Sequence, residues 1–214
     1  MQCRICQHDT KRLEHPSNGQ VFHECVNCHF ISKDPEFYLT SEKEFKQYEQ
    51  HENSIEDPRY VAFFEKFLQA AVFPFVNEGR NALDFGSGPS PVLAQLLERD
   101  YDYDVTIYDL FYEPETVYQN QTYDLITSTE VMEHIPDPLE TFRELKTLMK
   151  ADTVLAVMTL FHPKDINELW GWHYIRDFTH ISFFTPEAMQ IVADTVGFEL
   201  VYCDDYRYTT FKLK

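Results

Sequence analysis

The stretch that most constrains the fold of this chain is Leu83-Asp84-Phe85-Gly86-Ser87-Gly88-Pro89-Ser90-Pro91. The apolar run at 81–85 predicts a buried parallel strand. Gly86 and Gly88 then allow a tight turn that a ligand can approach closely, and because the chain has only 6 glycines the pair is informative. Ser90 is predicted to cap the next helix, with Pro91 as its first residue. The turn and the helix N-terminus together predict a site for an anionic or polar ligand group.

Two further strands are predicted after this turn. Residues 104–108 form the second, and Asp109 follows at the distance where an acid commonly accepts ribose hydroxyls. Residues 123–128 form the third, followed by Glu130-Val131-Met132-Glu133-His134-Ile135-Pro136-Asp137-Pro138. Because strands alternate with helices, we expect a parallel sheet with the ligand cleft at the carboxyl ends of its strands.

These motifs resemble those of class I S-adenosylmethionine-dependent methyltransferases, and in particular the group that contains ubiquinone-type O-methyltransferases. The resemblance is carried by D-F-G-S-G-P, Y-D-L and Y-D-L-I-T-S-x-E-V-x-E-H-x-P-D-P, and it extends over about residues 57–212. It implies an α/β fold with a doubly wound, mostly parallel, Rossmann-like sheet and a C-terminal antiparallel strand. It also implies methyl transfer from S-adenosylmethionine.

The resemblance further implies which residues bind the cofactor. Asp84, Gly86 and Gly88 would line its methionine part, and Asp109 would hold the ribose. The other implied cofactor contacts are their neighbours and the end of the third strand, namely Phe85, Ser87, Leu110, Ser128, Thr129 and Glu130. Only fourteen residues, 110–123, separate Asp109 from Asp124. The segment that contacts adenine in this family is therefore shortened here.

The N-terminal residues 1–31 are predicted to form a separate zinc ribbon. Cys3-x-x-Cys6 and Cys25-x-x-Cys28 are two C-x-x-C pairs with eighteen residues between them, a spacing typical of four-thiolate zinc sites. Zinc would supply the folding free energy that so short a segment lacks. Two disulfides are the alternative, which a reducing cytoplasmic location disfavours.

The rest of the chain is divided at residue 57. Residues 32–56 are predicted to be a linker with a short helix that covers the cofactor cleft, with a solvated connector as the alternative. Residues 57–214 are the predicted methyltransferase domain. Within it, helices are expected to begin at Asp57-Pro58, Asp137-Pro138 and Thr185-Pro186, and Gly197 is expected to end the last one. Residues 198–202 and 207–212 are the predicted C-terminal antiparallel pair.

A fourth strand is predicted at residues 153–160, which are almost continuously apolar. Residues 161–184 are the predicted acceptor segment, because they follow this strand and hold both tryptophans of the chain. Loops with aromatic and titratable residues commonly form substrate pockets, so Trp170, Trp172, Tyr174 and Asp177 are predicted to contact the acceptor. The alternative is a loop ordered by its own aromatic packing. The predicted proton acceptors are His173 and His180, with Glu130 and His134 as second choices.

Three other functions stay open at this point. The first is metal-assisted methylation, because Glu130, Glu133, His134 and His180 resemble the metal site of RNA 3′-end ribose methyltransferases and of some ubiquinone-type enzymes. A zinc-ribbon rRNA methyltransferase is the second, and a non-catalytic module that binds cofactor and a partner is the third. With 36 acidic and 18 basic residues the net charge is −18, which disfavours nucleic acid as a substrate. We therefore expect a small-molecule acceptor.

Composition also bears on location. No apolar run reaches the roughly 18 residues of a membrane span, and the N-terminus has a cysteine pair where a signal peptide would need apolar residues. A cytoplasmic protein that does not contact membranes is expected. The oligomeric state cannot be predicted from these features.

Overall fold

The computed structural model describes residues 1–49 and 54–214. Residues 50–53, which belong to the predicted linker, lie outside the described residues. The described strands are β1 Thr10–Glu14, β2 Val21–Cys25, β3 Ile31–Lys33, β4 Asn81–Phe85, β5 Asp104–Tyr108, β6 Tyr123–Thr129, β7 Met149–Met158, β8 Ser182–Phe183, β9 Phe198–Cys203 and β10 Tyr208–Leu213. The described α-helices are α1 Ser41–Tyr48, α2 Pro58–Phe67, α3 Val92–Tyr101, α4 Pro138–Thr147, α5 Ile166–Gly171 and α6 Pro186–Val196.

The larger sheet of the described residues has six strands in the order β5-β4-β6-β7-β10-β9. The first four pair in parallel, whereas β10 is antiparallel to both β7 and β9. This confirms the predicted α/β fold with a C-terminal antiparallel strand. Between β5 and β6 the described residues 109–122 contain only turns and an isolated bridge between Asp109 and Glu113. The connection is therefore as short as the sequence indicated, and β5 is an edge strand.

Three of the predicted helix starts are confirmed by side-chain caps. Asp57 accepts a hydrogen bond from Arg59 N at 2.9 Å, Asp137 from Glu140 N at 3.4 Å, and Thr185 from Ala188 N at 3.1 Å. Gly197 ends α6 at φ 86°, a left-handed conformation that glycine adopts readily.

The predicted Ser90 cap is wrong. Helix α3 begins at Val92, and Pro91 before it has φ −75° and ψ 63°, outside the helical region. The carbonyl of Ser90, rather than its hydroxyl, accepts the Val92 N–H at 2.7 Å. The bend at Pro91 therefore moves the helix start one residue later and leaves it without a side-chain cap.

The smaller sheet, in the order β1-β2-β3-β8 within the described residues, joins two distant parts of the chain. Its first three strands come from the N-terminal module, and β3 continues to Lys33, beyond the predicted boundary at residue 31. Its fourth strand, β8, belongs to the acceptor segment and pairs through Ile31↔Phe183 and Ser32↔Ser182. The N-terminal module and the acceptor segment are therefore one packed unit.

The core follows from this arrangement. One face of the larger sheet packs against α2 and α3, through residues such as Phe67, Leu96 and Leu97. The other face packs against α4 and α6, and its apolar cluster extends to Cys3, Cys25, Cys28 and Phe30 of the N-terminal module. Within the described residues, no helix has the length and apolar character that crossing a membrane requires.

Candidate functional site

The glycine turn after β4 lies at the carboxyl edge of the parallel strands. Gly86 and Gly88 have φ 85° and 67°, conformations that favour glycine. A Cβ on Gly86 would lie 2.2 Å from Val131 Cγ2, whereas a Cβ on Gly88 would meet no atom within 4 Å. Gly86 is therefore required for packing, and Gly88 borders open space. The Gly88 N–H donates to Asp109 Oδ2 at 2.9 Å, which joins the turn to the end of β5.

Asp109 is held by the backbone around it. Its Oδ1 accepts hydrogen bonds from Phe111 N at 2.9 Å and Tyr112 N at 3.1 Å. These contacts fix the carboxylate, which stays half-exposed beside the turn. Leu110 next to it is 66% exposed.

Asp84 is a buried acid below the turn. Only 2% of it is exposed, and Thr127 Oγ1 donates to its Oδ1 at 2.9 Å. Burial raises the pKa of Asp84 to about 7, against the hydrogen bond from Thr127 and with the charge of Asp109 adding to the rise. A cationic ligand group at the turn would stabilise the ionised form of this acid. The Oγ atoms of Ser87 and Ser128 are buried and have no hydrogen-bond partner within residues 1–49 and 54–214, as expected of donors that bind a ligand.

Next to the turn lies a cluster of titratable residues at the end of β6. Tyr174 OH donates to Glu133 Oε1, and it also lies 3.1 Å from Glu130 Oε2. Burial, and then the charge of Glu130, raise the pKa of Glu133 to about 8. Burial also raises the pKa of Glu130, while the charge of Arg207 opposes that rise. Glu130 Oε1 and Glu133 Oε2 are buried, and neither has a hydrogen-bond partner in the part of the chain that the structure describes.

Two histidines complete this cluster. His180 Nδ1 lies 2.8 Å from Tyr174 O, and His134 Nδ1 lies 3.2 Å from Thr179 O. With an N–H on each Nδ1, the lone pair of each ring is on Nε2. Burial lowers the pKa of His180 to about 4, against the charge of Asp177, so this ring is neutral at pH 7. One ligand atom from each of Glu133, His134 and His180 lies within 4.8 Å of the others.

The other residues of the predicted acceptor pocket are placed differently. His173 is exposed and contacts the rings of Trp172 and Tyr174. Trp170 packs on Phe22 and His15 of the N-terminal module. Its ring is therefore used in that packing, which matches the alternative of a loop ordered by aromatic contacts.

Trp172 and Asp177 lie around the acceptor segment itself. Trp172 packs on Tyr174 and Phe183. Asp177 accepts hydrogen bonds from Thr179 N at 2.9 Å and Thr179 Oγ1 at 2.7 Å. Asp177 therefore shapes the turn that carries His180, whose Nε2 is 4.0 Å from it.

Helix α1 contacts both sides of the cleft. Phe45 packs on Phe111 and Tyr112 beyond Asp109. Tyr48 packs on Phe111 and also on His134. The helix therefore lies between the Asp109 loop and the titratable cluster, in line with the predicted short helix in residues 32–56.

Sequence reasoning missed Lys33, which is fully buried at the edge of the acceptor segment. Its Nζ donates to Phe178 O at 2.9 Å and lies 5.9 Å from the centroid of the Phe22 ring. Burial lowers the pKa of Lys33 to about 8, against the charge of Asp177. A lysine in a three-residue strand carries no local signal of burial, because burial here depends on pairing with β8.

The four predicted zinc ligands lie close together in the N-terminal module. The Sγ atoms of Cys3 and Cys28 are 3.6 Å apart, those of Cys6 and Cys25 are 3.2 Å apart, and those of Cys6 and Cys28 are 3.5 Å apart. Tetrahedral zinc with Zn–S bonds of about 2.3 Å needs sulfur separations of about 3.8 Å. The four thiols therefore fit a zinc ion after small adjustments.

Comparisons with known proteins agree with this geometry. A ubiquinone biosynthesis O-methyltransferase of Actinobacillus pleuropneumoniae (serotype 5b, strain L20) is 37% identical over 59 residues, 28% of this chain and 25% of that protein. The match thus spans a quarter of that relative's length.

Among solved structures, an O-methyltransferase family protein from Burkholderia thailandensis superposes with a TM-score of 0.56 at 13% identity, over 86% of this chain and 77% of that one. The mitomycin 7-O-methyltransferase MmcR superposes with a TM-score of 0.50 at 13% identity, over 74% of this chain and 59% of that one. At these identities the two structures show a shared fold.

A family model described as a methyltransferase domain matches residues 50–202. The match includes the glycine turn, Asp109 and the titratable cluster. Since it covers more than half of the 214 residues, the chain belongs to the family of methyltransferase domains.

Proposed function

We propose that the protein transfers a methyl group from S-adenosylmethionine to a small-molecule acceptor. The observation that carries the proposal is the position of the titratable cluster beside the glycine turn. Glu130, at the end of β6, follows the strand that pairs with β4 through Asp84↔Thr127. A ligand held by the turn would therefore meet the proton-accepting side chains on the neighbouring strand. RNA methylation and a non-catalytic module are less favoured, because the acidic charge and the intact cluster oppose them.

The cofactor site proposed here uses the residues around the turn. Gly88 opens the backbone to the ligand, the fixed Asp109 carboxylate accepts ribose hydroxyls, and the buried Asp84 favours a cationic group. Phe85, Ser87, Leu110, Ser128 and Thr129 border the same space. When bound, S-adenosylmethionine supplies a methyl group on a positively charged sulfur.

The protein's own contribution to the reaction is positioning and proton removal. His180, held neutral by burial, accepts the acceptor's proton at Nε2, while its Nδ1–H stays hydrogen-bonded to Tyr174 O. Tyr174 holds Glu130 and Glu133 in place beside it. Helix α1 covers the cleft and helps to exclude water.

A second candidate mechanism is metal-assisted methyl transfer, favoured by the orientation of the cluster. In metal sites the ligating imidazole commonly donates its other N–H to a backbone carbonyl, as both histidines do here. Glu133, His134 and His180 would hold a divalent transition-metal cation, which would lower the pKa of an acceptor hydroxyl.

The first test is calorimetry of the zinc-loaded full chain with S-adenosylhomocysteine. One molecule is expected to bind per chain, and tight binding of a nicotinamide dinucleotide instead would contradict the proposal. Cell extract incubated with methyl-labelled S-adenosylmethionine should then give label in the small-molecule fraction. Label found in structured RNA would contradict the proposed acceptor.

The metal is tested separately with Mn²⁺, because Mn²⁺ prefers oxygen and nitrogen ligands and does not compete for four thiolates. Electron paramagnetic resonance should show one site that Glu133→Gln removes and that Glu140→Gln, at an exposed position of α4, does not. Absence of a Mn²⁺ site in the unaltered protein would leave His180 as a metal-free base.

We also propose zinc in the four-cysteine site and a cytoplasmic location, which would keep these thiols reduced. Elemental analysis of protein purified without chelator should give one zinc per chain. Protein free of zinc after such a purification would contradict this assignment.

A further inference from the structure

Arg207 lies on the side of the cleft away from the glycine turn. It precedes β10, and its carbonyl accepts the Thr159 N–H at 3.0 Å at the end of β7. In the sheet order, β10 is three strand positions from β4, or about 14 Å at the usual strand spacing. Glu130 lies between them, because its N–H donates to Met158 O at 2.8 Å. Arg207 therefore borders the acceptor part of the proposed site.

The guanidinium of Arg207 differs from that of the other arginines. Five of the 8 arginines donate to recorded acceptors: Arg4, Arg12, Arg59, Arg80 and Arg99. Arg143 and Arg176 are exposed to water. In Arg207, by contrast, Nε is buried and has no hydrogen-bond partner among the described residues. A buried donor without an acceptor is costly, so its persistence calls for a ligand.

Two aromatic rings fix the orientation of this guanidinium. Its Cζ lies 5.4 Å from the centroid of Phe63 and 4.9 Å from that of Tyr206. Rings attract the faces of a guanidinium, while its N–H donors point outward in its plane. The two rings therefore pack on the guanidinium, and its in-plane donors remain for polar partners.

No carboxylate of the described residues pairs with these donors. Glu130 is the acid whose charge state Arg207 affects, but no Arg207 contact is among the ion pairs within 4.0 Å. In a protein with a net charge of −18, an anionic ligand would need such a local cation to enter the cleft.

We propose that Arg207 binds an anionic group of the methyl acceptor, so that the acceptor is a small organic carboxylate or phosphate ester with an apolar part next to Phe63 and Tyr206. This rests on the proposed function, since it assigns the far side of the cleft to the acceptor. The fork geometry of a guanidinium matches two oxygens of such a group.

The test measures binding rather than turnover. Zinc-loaded full chain, with and without saturating S-adenosylhomocysteine, is titrated with benzoate against benzamide and with phenyl phosphate against phenol. The wild type should bind at least one anion about tenfold more tightly than its neutral counterpart. In Arg207→Met the affinities for the anion and its neutral counterpart should differ by no more than about twofold. Arg207→Lys should keep part of the preference, because lysine keeps the charge but lacks the planar set of donors.

Arg143→Met, at an exposed position of α4, is the matched control and should keep the full preference. Thermal melting confirms that each variant is folded. The proposal is overturned if the wild type does not prefer the anions or if Arg207→Met keeps the wild-type preference. It is also overturned if Arg207→Met lowers the affinity for S-adenosylhomocysteine and leaves the anion preference unchanged. A chain that fails to bind S-adenosylhomocysteine contradicts the proposed function, and the titrations without it still decide the role of Arg207.

Discussion

The carboxyl edge of the six-stranded sheet has two halves that are held in different ways. The half with Gly86, Gly88 and Asp109 is built within residues 81–112, by hydrogen bonds between neighbouring segments. The half with Glu133 and His180 depends on distant segments. Residues 174–183 are held by pairing of β8 with β3 of the N-terminal module.

This difference separates two kinds of stability. The glycine-turn half belongs to a βαβ unit that has its own core, and we expect it to fold without the N-terminal module. The titratable half rests on the module through β8, through Lys33 and through the hydrogen bond from Thr185 Oγ1 to Cys28 O at 2.8 Å. Disruption of the zinc site should therefore displace the proton-accepting residues more than it displaces the glycine turn.

Removal of zinc tests this dependence with the largest expected effect. Structural zinc in small modules contributes about 10 kcal/mol, so Cys25→Ser should disrupt the smaller sheet. Both tryptophans flank the interface, because Trp170 packs on Phe22 and Trp172 on Phe183. Their fluorescence should therefore shift to longer wavelength while the helical circular dichroism is largely kept. Cys203→Ser, outside the four-cysteine site, is the control. Unchanged tryptophan fluorescence in Cys25→Ser would show that the titratable half does not depend on the zinc site.

Substitution of His180 tests whether the titratable half serves proton removal while the glycine-turn half serves cofactor binding. His180→Ala should lower turnover by about 10²–10⁴-fold, because the acceptor's proton loses its base or its metal ligand. Affinity for S-adenosylhomocysteine should stay within about twofold of the wild type. His173→Ala, an exposed neighbour, should have a smaller effect. Equal losses of turnover and cofactor affinity would contradict the division.

Substitution of Lys33 tests the contact between the N-terminal module and the acceptor segment, because buried Lys33 makes the free energy of unfolding depend on pH. The pKa of Lys33 is about 8 in the folded protein, below its ordinary value of about 10.4. From pH 8 to about 10.4 the unfolded chain holds a proton that the folded one has lost, so the free energy of unfolding rises with pH.

Lys33→Met should lack that rise, which is at most about 3 kcal/mol. Urea unfolding of the variant and the wild type at pH 7 and pH 10 measures the difference. The exposed Lys11→Met is the matched control. Parallel pH profiles for Lys33→Met and the wild type would mean that the lysine is charged at all these pH values.

Asp109→Asn is expected to have the smallest effect and to concern only the cofactor half. It should weaken the binding of S-adenosylhomocysteine by about 1.5–3 kcal/mol, because charge-assisted hydrogen bonds are lost. Asp104→Asn, at the exposed start of β5, the strand that Asp109 follows, should leave the affinity for S-adenosylhomocysteine unchanged. Calorimetry provides both values, and equal affinity for the two variants would remove Asp109 from the ribose site.

The same two halves explain what could be predicted from sequence. Gly86, Gly88 and Asp109 act through turns and strands that short motifs specify, so the fold and this part of the candidate site were accessible. Glu133, His134 and His180 were visible as residue types, but they converge through long-range contacts that no short motif specifies, namely the hydrogen bond from the Ile181 N–H to Glu133 O at 2.8 Å and the pairing of Ser32 with Ser182.

Other features had no signal in the sequence. The burial of Lys33 and the packing of Trp170 both arise from contact between segments more than 140 residues apart. The bend at Pro91 that displaced the Ser90 cap reflects backbone angles, for which composition gives only a preference. Long-range packing therefore decided what local patterns did not.

Hydrogen exchange of the zinc-loaded full chain, with and without S-adenosylhomocysteine, tests whether the glycine turn and Asp109 hold the cofactor. Slower exchange is expected at residues 86–88 and 109–112, with little change at residues 182–183, where β8 pairs with β3. Slowing centred on residues 182–183 without protection of the glycine turn would contradict this cofactor site.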